Sequence, residues 1–241
     1  MSGQILRVDG VTKRFGGFVA LQSVSFELNE NERLGLIGPN GSGKTTLINC
    51  VSGVLPHDEG NVNFRGKDIT RLTAHERTHL GIARSFQIPR PFKSMSVIEN
   101  LLIPLSFAAK DRVDQDRLED EAQAILELVG FIGREKDSSA DLTQVDMRRL
   151  ELARALAVKP SLLVSDEAMA GLSNSEVDEI LEILFKLNER GVAVIMIEHI
   201  MRAVTRYCER IIVLDAGQKI ADGTPDAVMK DPNVERAYLG E

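Results

Sequence analysis

The chain has 241 residues, 43% apolar and 27% charged, which suits a globular protein of one or two domains at about 100–200 residues each. Its 29 Lys and Arg stand against 36 Asp and Glu, a net charge of −7 that argues against a nucleic-acid footprint and against direct binding to anionic lipid. No apolar run approaches the roughly 18 residues that a spanning helix needs, and the longest, 192–197, has the length of a strand.

Residues 3–9 and 18–28 read as strands joined by a turn at Gly16-Gly17. The apolar run 33–38 reads as a buried strand entering a glycine-rich turn, and 44–52 as the helix that follows. Thr73 caps a short polar helix over 73–80. Residues 96–130 turn helical, with Leu118, Ala122, Ile125, Leu126 and Val129 in one apolar stripe. A helix over 146–158 ends before Pro160, and 162–164 is a buried strand. Val177, Ile180, Leu181, Leu184 and Leu187 make 174–190 an amphipathic helix, followed by a strand over 192–197. Residues 210–214 and 219–221 flank a turn at Ala216-Gly217. Strand and helix alternate at both ends around a helical middle, which predicts a parallel α/β core carrying an insertion at about 88–157. Only Cys50 and Cys208 occur and no basic-then-apolar leader opens the chain, so a reducing cytosol is the expected compartment.

Gly38-Pro39-Asn40-Gly41-Ser42-Gly43-Lys44-Thr45 fits G-x-x-x-x-G-K-[ST] at every fixed position, and Thr46 continues into the predicted helix. Glycines let backbone N–H groups close around a phosphate, at a helix N-terminus whose dipole favours an anion. Lys44 would reach the β- and γ-phosphates of a nucleoside triphosphate, and the Thr45 hydroxyl would ligate Mg²⁺. A chance glycine-rich turn is the alternative, but eight residues in register with a strand before and a helix after leave it little room. The strand 162–164 runs into Ser165-Asp166-Glu167, where Asp166 would hold Mg²⁺ and Glu167 would polarise the attacking water. Alone, an Asp-Glu pair at a strand end reads as a solvated loop; beside the phosphate loop it does not.

On these residues the sequence resembles the ATP-binding subunits of ABC transporters, over nearly the whole chain. The resemblance implies a P-loop NTPase (RecA-like) core with an N-terminal antiparallel β-subdomain over residues 1–87 and 158–222, an inserted α-helical subdomain at 88–157 and a helical tail at 223–241. It also implies that Phe15 stacks on adenine, that Gln87 is the glutamine joining core to insertion and touching the metal, and that His199 is the switch histidine at the γ-phosphate. The bland readings are core packing for Phe15, a surface polar group for Gln87 and a helix cap for His199; family register raises each above them. Ala170-Gly171-Leu172-Ser173 matches the loop after the catalytic Glu, with Ser173 where the family more often has Asp or Asn. The phrases 81–87, 96–100 and 234–240 look like the importers of branched-chain amino acids and related small polar solutes. Such subunits work as head-to-tail dimers on separate transmembrane permease subunits at the cytoplasmic face of the membrane, indirectly served by a solute-binding protein.

The signature loop departs from the family's Leu-Ser-Gly-Gly-Gln. It reads Leu142-Thr143-Gln144-Val145-Asp146. A β-branched Val145 would obstruct close backbone approach and resist positive φ, and Asp146 would set a carboxylate near a polyanion. This predicts a weak signature and favours a heterodimer with a second ABC ATPase subunit over a homodimer. Ser165 and Ala168 also depart, from an apolar residue and a proline. His75-Glu76-Arg77-Thr78-His79 is a literal H-E-x-x-H zinc pattern, but Gly81 stops its helix, its flanks are polar and no third ligand declares itself, so it reads as a surface helix. The rival functions are a regulatory subunit that binds ATP and hydrolyses it poorly, and a non-transport ABC ATPase.

Overall fold

The computed structural model describes residues 3–85, 91–108 and 115–239. The chain opens with a long hairpin, β1 (Gln4–Phe15) and β2 (Phe18–Asn29), then β3 (Arg33–Ile37) and the helix α1 (Lys44–Val51). Next come β4 (Glu59–Phe64), β5 (Lys67–Asp68), α2 (Ala74–His79) and β6 (Ile82–Ser85). Three helices follow, α3 (Val97–Ala108), α4 (Gln115–Val129) and α5 (Gln144–Leu156). The chain then alternates β7 (Leu162–Asp166), α6 (Asn174–Glu189), β8 (Ala193–Ile197), α7 (Met201–Tyr207) and β9 (Arg210–Asp215). It closes with β10 (Gln218–Gly223), α8 (Pro225–Val228) and α9 (Pro232–Leu239).

These strands make two sheets. One is antiparallel, in the order β2-β1-β4-β5; the other runs β10-β9-β3-β8-β7-β6, parallel from β9 to β6. The alternation within each parallel strand explains how the two faces are used. Leu34, Leu36, Leu162, Val164, Ile195, Ile197, Ile212 and Leu214 join the core under the antiparallel sheet and α1. Leu163, Val194, Met196, Ile211 and Val213 join the core against α5, α6 and α7. β3 lies inside the sheet, between β8 and β9, so the loop leaving it opens at the C-terminal edge, where α/β sheets bind ligands.

The structure departs from the sequence reading in places. The helical stretch 96–130 is two helices, α3 and α4, and the hairpin strands run longer than predicted. The strands β4, β5 and β6 were not foreseen, nor was α7, whereas α8 and α9 fall within the expected helical tail. β6 escaped because an Arg and a Ser occupy two of its four positions. Ser85 and Ser165 face each other in register on β6 and β7, both buried, and neither hydroxyl finds a hydrogen-bond partner among the described residues.

The H-E-x-x-H segment is consumed by local structure. Glu76 closes a capping box with Thr73, its carboxylate accepting from the Thr73 N–H at 2.8 Å. Arg77 turns inward, 2% exposed, and donates to the carbonyls of Cys50 and Val51 at 2.7 Å each, capping the C-terminal end of α1. The His75 and His79 rings meet edge-on, 4.5 Å apart, and both lie against Phe107 of α3.

Candidate functional site

The loop 38–43 leaves β3 and turns into α1. Gly43 caps α1 at φ 103°, and a Cβ there would sit 2.8 Å from the Ala20 carbonyl oxygen and 2.9 Å from Leu21. Glycine is therefore what lets this turn sit against β2. Whereas α2, α5, α6 and α8 are capped by Thr73, Thr143, Ser173 and Thr224, α1 has no side-chain cap and no acid in its first turn. Among the described residues no side chain covers its first N–H groups, as an anion site needs.

Lys44, 6% exposed, donates to the carbonyls of Gly38 at 2.8 Å and Pro39 at 3.0 Å. Burial holds its ammonium below the usual value, against the pull of Glu167 and Asp166. Ser42 is buried in the loop, and its hydroxyl oxygen has no partner among the described residues. A cavity of about 330 Å³ opens over the loop, lined by Asn40 to Thr46, by Glu167 and His199, and by Phe15 and Phe18. Phe15 and Phe18 are half or more exposed, and the Lys13 ammonium lies 5.5 Å from the centre of the Phe15 ring. Phe18 was missed by sequence reasoning; the hairpin pairs it directly with Phe15.

β7 carries Asp166 and Glu167 to the same edge. Glu167 has φ 47°, a left-handed backbone in a non-glycine residue, which fits a functional constraint. Its N–H donates to the Ile197 carbonyl at 2.9 Å, and its Oε1 lies 3.0 Å from His199 Nε2. The structure thus brings Lys44, Thr45, Glu167 and His199 to one cavity. Gln87 lies outside the described residues.

Sequence reasoning also missed two charged residues. Arg84 of β6 pairs with Asp166 at 2.5 Å and donates to Asn49 Oδ1 of α1 at 2.6 Å. No local signal pointed to it, because β6 is half polar and the pairing with Asp166 arises only when β6 and β7 align. Glu198, next to His199, is 2% exposed and accepts the Met169 N–H at 2.9 Å, tying the loop after Glu167 to the end of β8.

Burial pushes the Glu198 carboxyl up to about 7, with Glu167 adding to the rise and Arg148 opposing it. The folded value lies above the unfolded 4.5, so the native state binds the extra proton. Stability therefore falls as pH rises from about 4.5 to about 7 and is flat above, by roughly 3 kcal/mol. The variant Glu198→Gln should gain on the wild type between pH 5 and pH 8 in urea unfolding. An identical gap at both pH values contradicts this.

The signature-like stretch lies at the start of α5, and none of residues 142–146 lines the cavity. Two of the physical objections raised from sequence are corrected here. Val145 sits in ordinary helix, not at positive φ, so its β-branch is not strained there. Asp146 does not present a free carboxylate: it is 5% exposed and paired with Arg134 at 3.0 Å and Arg149 at 3.5 Å. Thr143 spends its hydroxyl on capping α5, accepting from the Asp146 N–H at 3.2 Å. Leu142 is buried, Val145 half-buried, and Gln144 is exposed with its amide against Gly171.

Comparison with known proteins agrees with this geometry. The family model of ABC transporters matches residues 21–170, and that of the branched-chain amino acid ATP-binding cassette transporters matches 218–241. The chain is 37% identical over 255 residues to the high-affinity branched-chain amino acid transport ATP-binding protein LivG of Salmonella typhimurium, covering 100% of both. It is 36% identical over 257 residues to BraF of Pseudomonas aeruginosa, described in the same words, again covering 100% of both. Among solved structures, an ADP conformation of an ATP-binding cassette of an ABC transporter superposes with a TM-score of 0.90 at 37% identity, covering 99% of each chain. A dimeric bacterial ABC transporter cassette gives a TM-score of 0.83 at 26% identity, covering 92% of this chain and 99% of that one. With its phosphate loop, its Asp-Glu strand end and relatives that match it end to end, the chain belongs to the ABC transporter family as an ATP-binding cassette, an ATPase.

Proposed function

We propose that this cassette is the ATP-hydrolysing motor of an importer for branched-chain amino acids or a related small polar solute. The observation that carries the reading is the convergence of Lys44, Thr45, Glu167 and His199 on one cavity, in a chain whose relatives are named for that transport. In this reading the open end of α1 and Lys44 hold the phosphates, and Phe15 and Phe18 offer ring faces to the base. Glu167 takes the proton of the attacking water, and His199 keeps that carboxylate oriented. The donor set of the Thr45 hydroxyl and the Asp166 carboxylate suits Mg²⁺, a hard cation that prefers oxygen ligands. Bound there, Mg²⁺ would neutralise phosphate charge. Gln87 would be a further oxygen ligand.

The permease subunits would dock in the groove of about 210 Å³ between Val54, Ala74 and Thr78 on one side and Pro104 and Arg154 on the other. Exposed Val54, Ile103 and Phe107 supply apolar surface for a membrane subunit's loop. The described residues hold no helix long and apolar enough to cross a membrane, so attachment to the cytoplasmic face would run through that partner.

The signature supports a heterodimer. A dimer would place residues 142–146 against the partner's nucleotide, and Val145 adds side-chain bulk where the family has glycine. The burial of Asp146 removes the charge objection and leaves the bulk alone. The lone chain should hydrolyse ATP slowly, a second subunit with an intact signature should accelerate it, and Val145→Gly should raise the lone chain's rate severalfold. Brisk turnover alone, unchanged by the substitution, defeats the heterodimer reading and leaves the motor reading standing.

A further inference from the structure

Asp166 already has a cation. The Arg84 guanidinium lies 2.5 Å from its Oδ2, and the two side chains are 11% and 9% exposed. The other arm of Arg84 donates to Asn49 Oδ1 at 2.6 Å, so one side chain joins β6, β7 and α1. Register explains the reach: Arg84 stands opposite Val164, two residues before Asp166 and on the same face of the sheet. The contact is charge-assisted and nearly dry.

Lys44 and Glu167 line the cavity, Asp166 acts on Lys44 through its charge, and Arg84, which lines the neighbouring groove, meets Asp166. A free divalent cation approaching Asp166 meets a carboxylate whose charge a guanidinium already balances. Polyphosphate changes that balance by bringing several negative charges at once.

We propose that Arg84 is the resident counter-charge of Asp166 and bars divalent cations from the nucleotide-free cassette, so that metal enters only with a polyphosphate. This rests on the proposed reading of Asp166 as the metal-side carboxylate. Arg84 is on this view a positioning residue: it acts through Asp166 and touches no nucleotide. It also keeps a buried carboxylate from standing uncompensated between turnovers, which would otherwise cost stability.

The test uses the full chain with Mn²⁺ as the probe, followed by electron paramagnetic resonance with and without ADP. Without nucleotide, the wild type and Arg84→Lys should leave Mn²⁺ free. Arg84→Met should bind it at least tenfold more tightly, and Arg84→Gln should do the same. Gln keeps a polar partner for Asn49 and carries the test if the Met variant does not fold. With ADP present, all should bind Mn²⁺. Equal nucleotide-free affinity in wild type and both neutral variants overturns the proposal, as does tight nucleotide-free binding by the wild type. A gain that survives in Arg84→Gln combined with Asp166→Asn overturns instead the reading of Asp166 as the metal carboxylate.

Discussion

Replacing Glu167 by glutamine leaves ATP binding intact and lowers turnover by roughly 10²–10⁴, the usual worth of a positioned general base. The amide is close to isosteric and can still meet His199 Nε2, 3.0 Å from the carboxylate in the native chain. What it loses is the capacity to take a proton. ATP then persists in the cleft, and the closed dimer accumulates, visible as a shift from monomer to dimer in ATP-dependent gel filtration with the second ATPase subunit present. Rapid-quench hydrolysis measures the chemistry directly. Normal turnover by this variant would remove Glu167 from the base role.

The second large effect comes from a methyl group. Gly43→Ala puts a Cβ 2.8 Å from the Ala20 carbonyl oxygen at a residue with φ 103°, so α1 or β2 must shift. Any shift tilts the open N–H groups and Lys44 off their target. Nucleotide affinity should fall at least about 100-fold, near 2.7 kcal/mol by the affinity relation. Gly41→Ala is the internal control. Its φ is 81°, but a Cβ there meets nothing within 4 Å. It should cost only the backbone strain of a left-handed residue, about 1–2 kcal/mol, and affect affinity far less. Titration with a fluorescent ATP analogue separates the two, and equal losses would show that strain rather than collision governs the loop.

Local patterns carried most of the site. The phosphate loop is eight consecutive residues whose chemistry is contained in their spacing, so Lys44 and Thr45 could be placed before any fold was known. Asp166 and Glu167 were legible because an apolar strand ends at them. What escaped depends on neighbours distant in sequence. Arg84 and Asp166 are 82 positions apart, and only the β6–β7 pairing makes them a pair. Asp146 was misjudged for the same reason: its charge looked free until the fold brought Arg134 and Arg149 to it. Short strands hid too, because β5 has two residues and cannot show a period.

The capping of α1 by Arg77 has a mechanical consequence. A helix fixed by a guanidinium at its last carbonyls cannot slide independently of α2, which carries that arginine. The phosphate loop and α2 therefore belong to one stiff piece. Ala74 and Thr78 of α2 form one wall of the groove, and Pro104 of α3 and Arg154 of α5 form the other. The groove therefore has one wall fixed to the phosphate end and the other on the helices between β6 and β7, and the His75 and His79 rings against Phe107 rivet the two walls together.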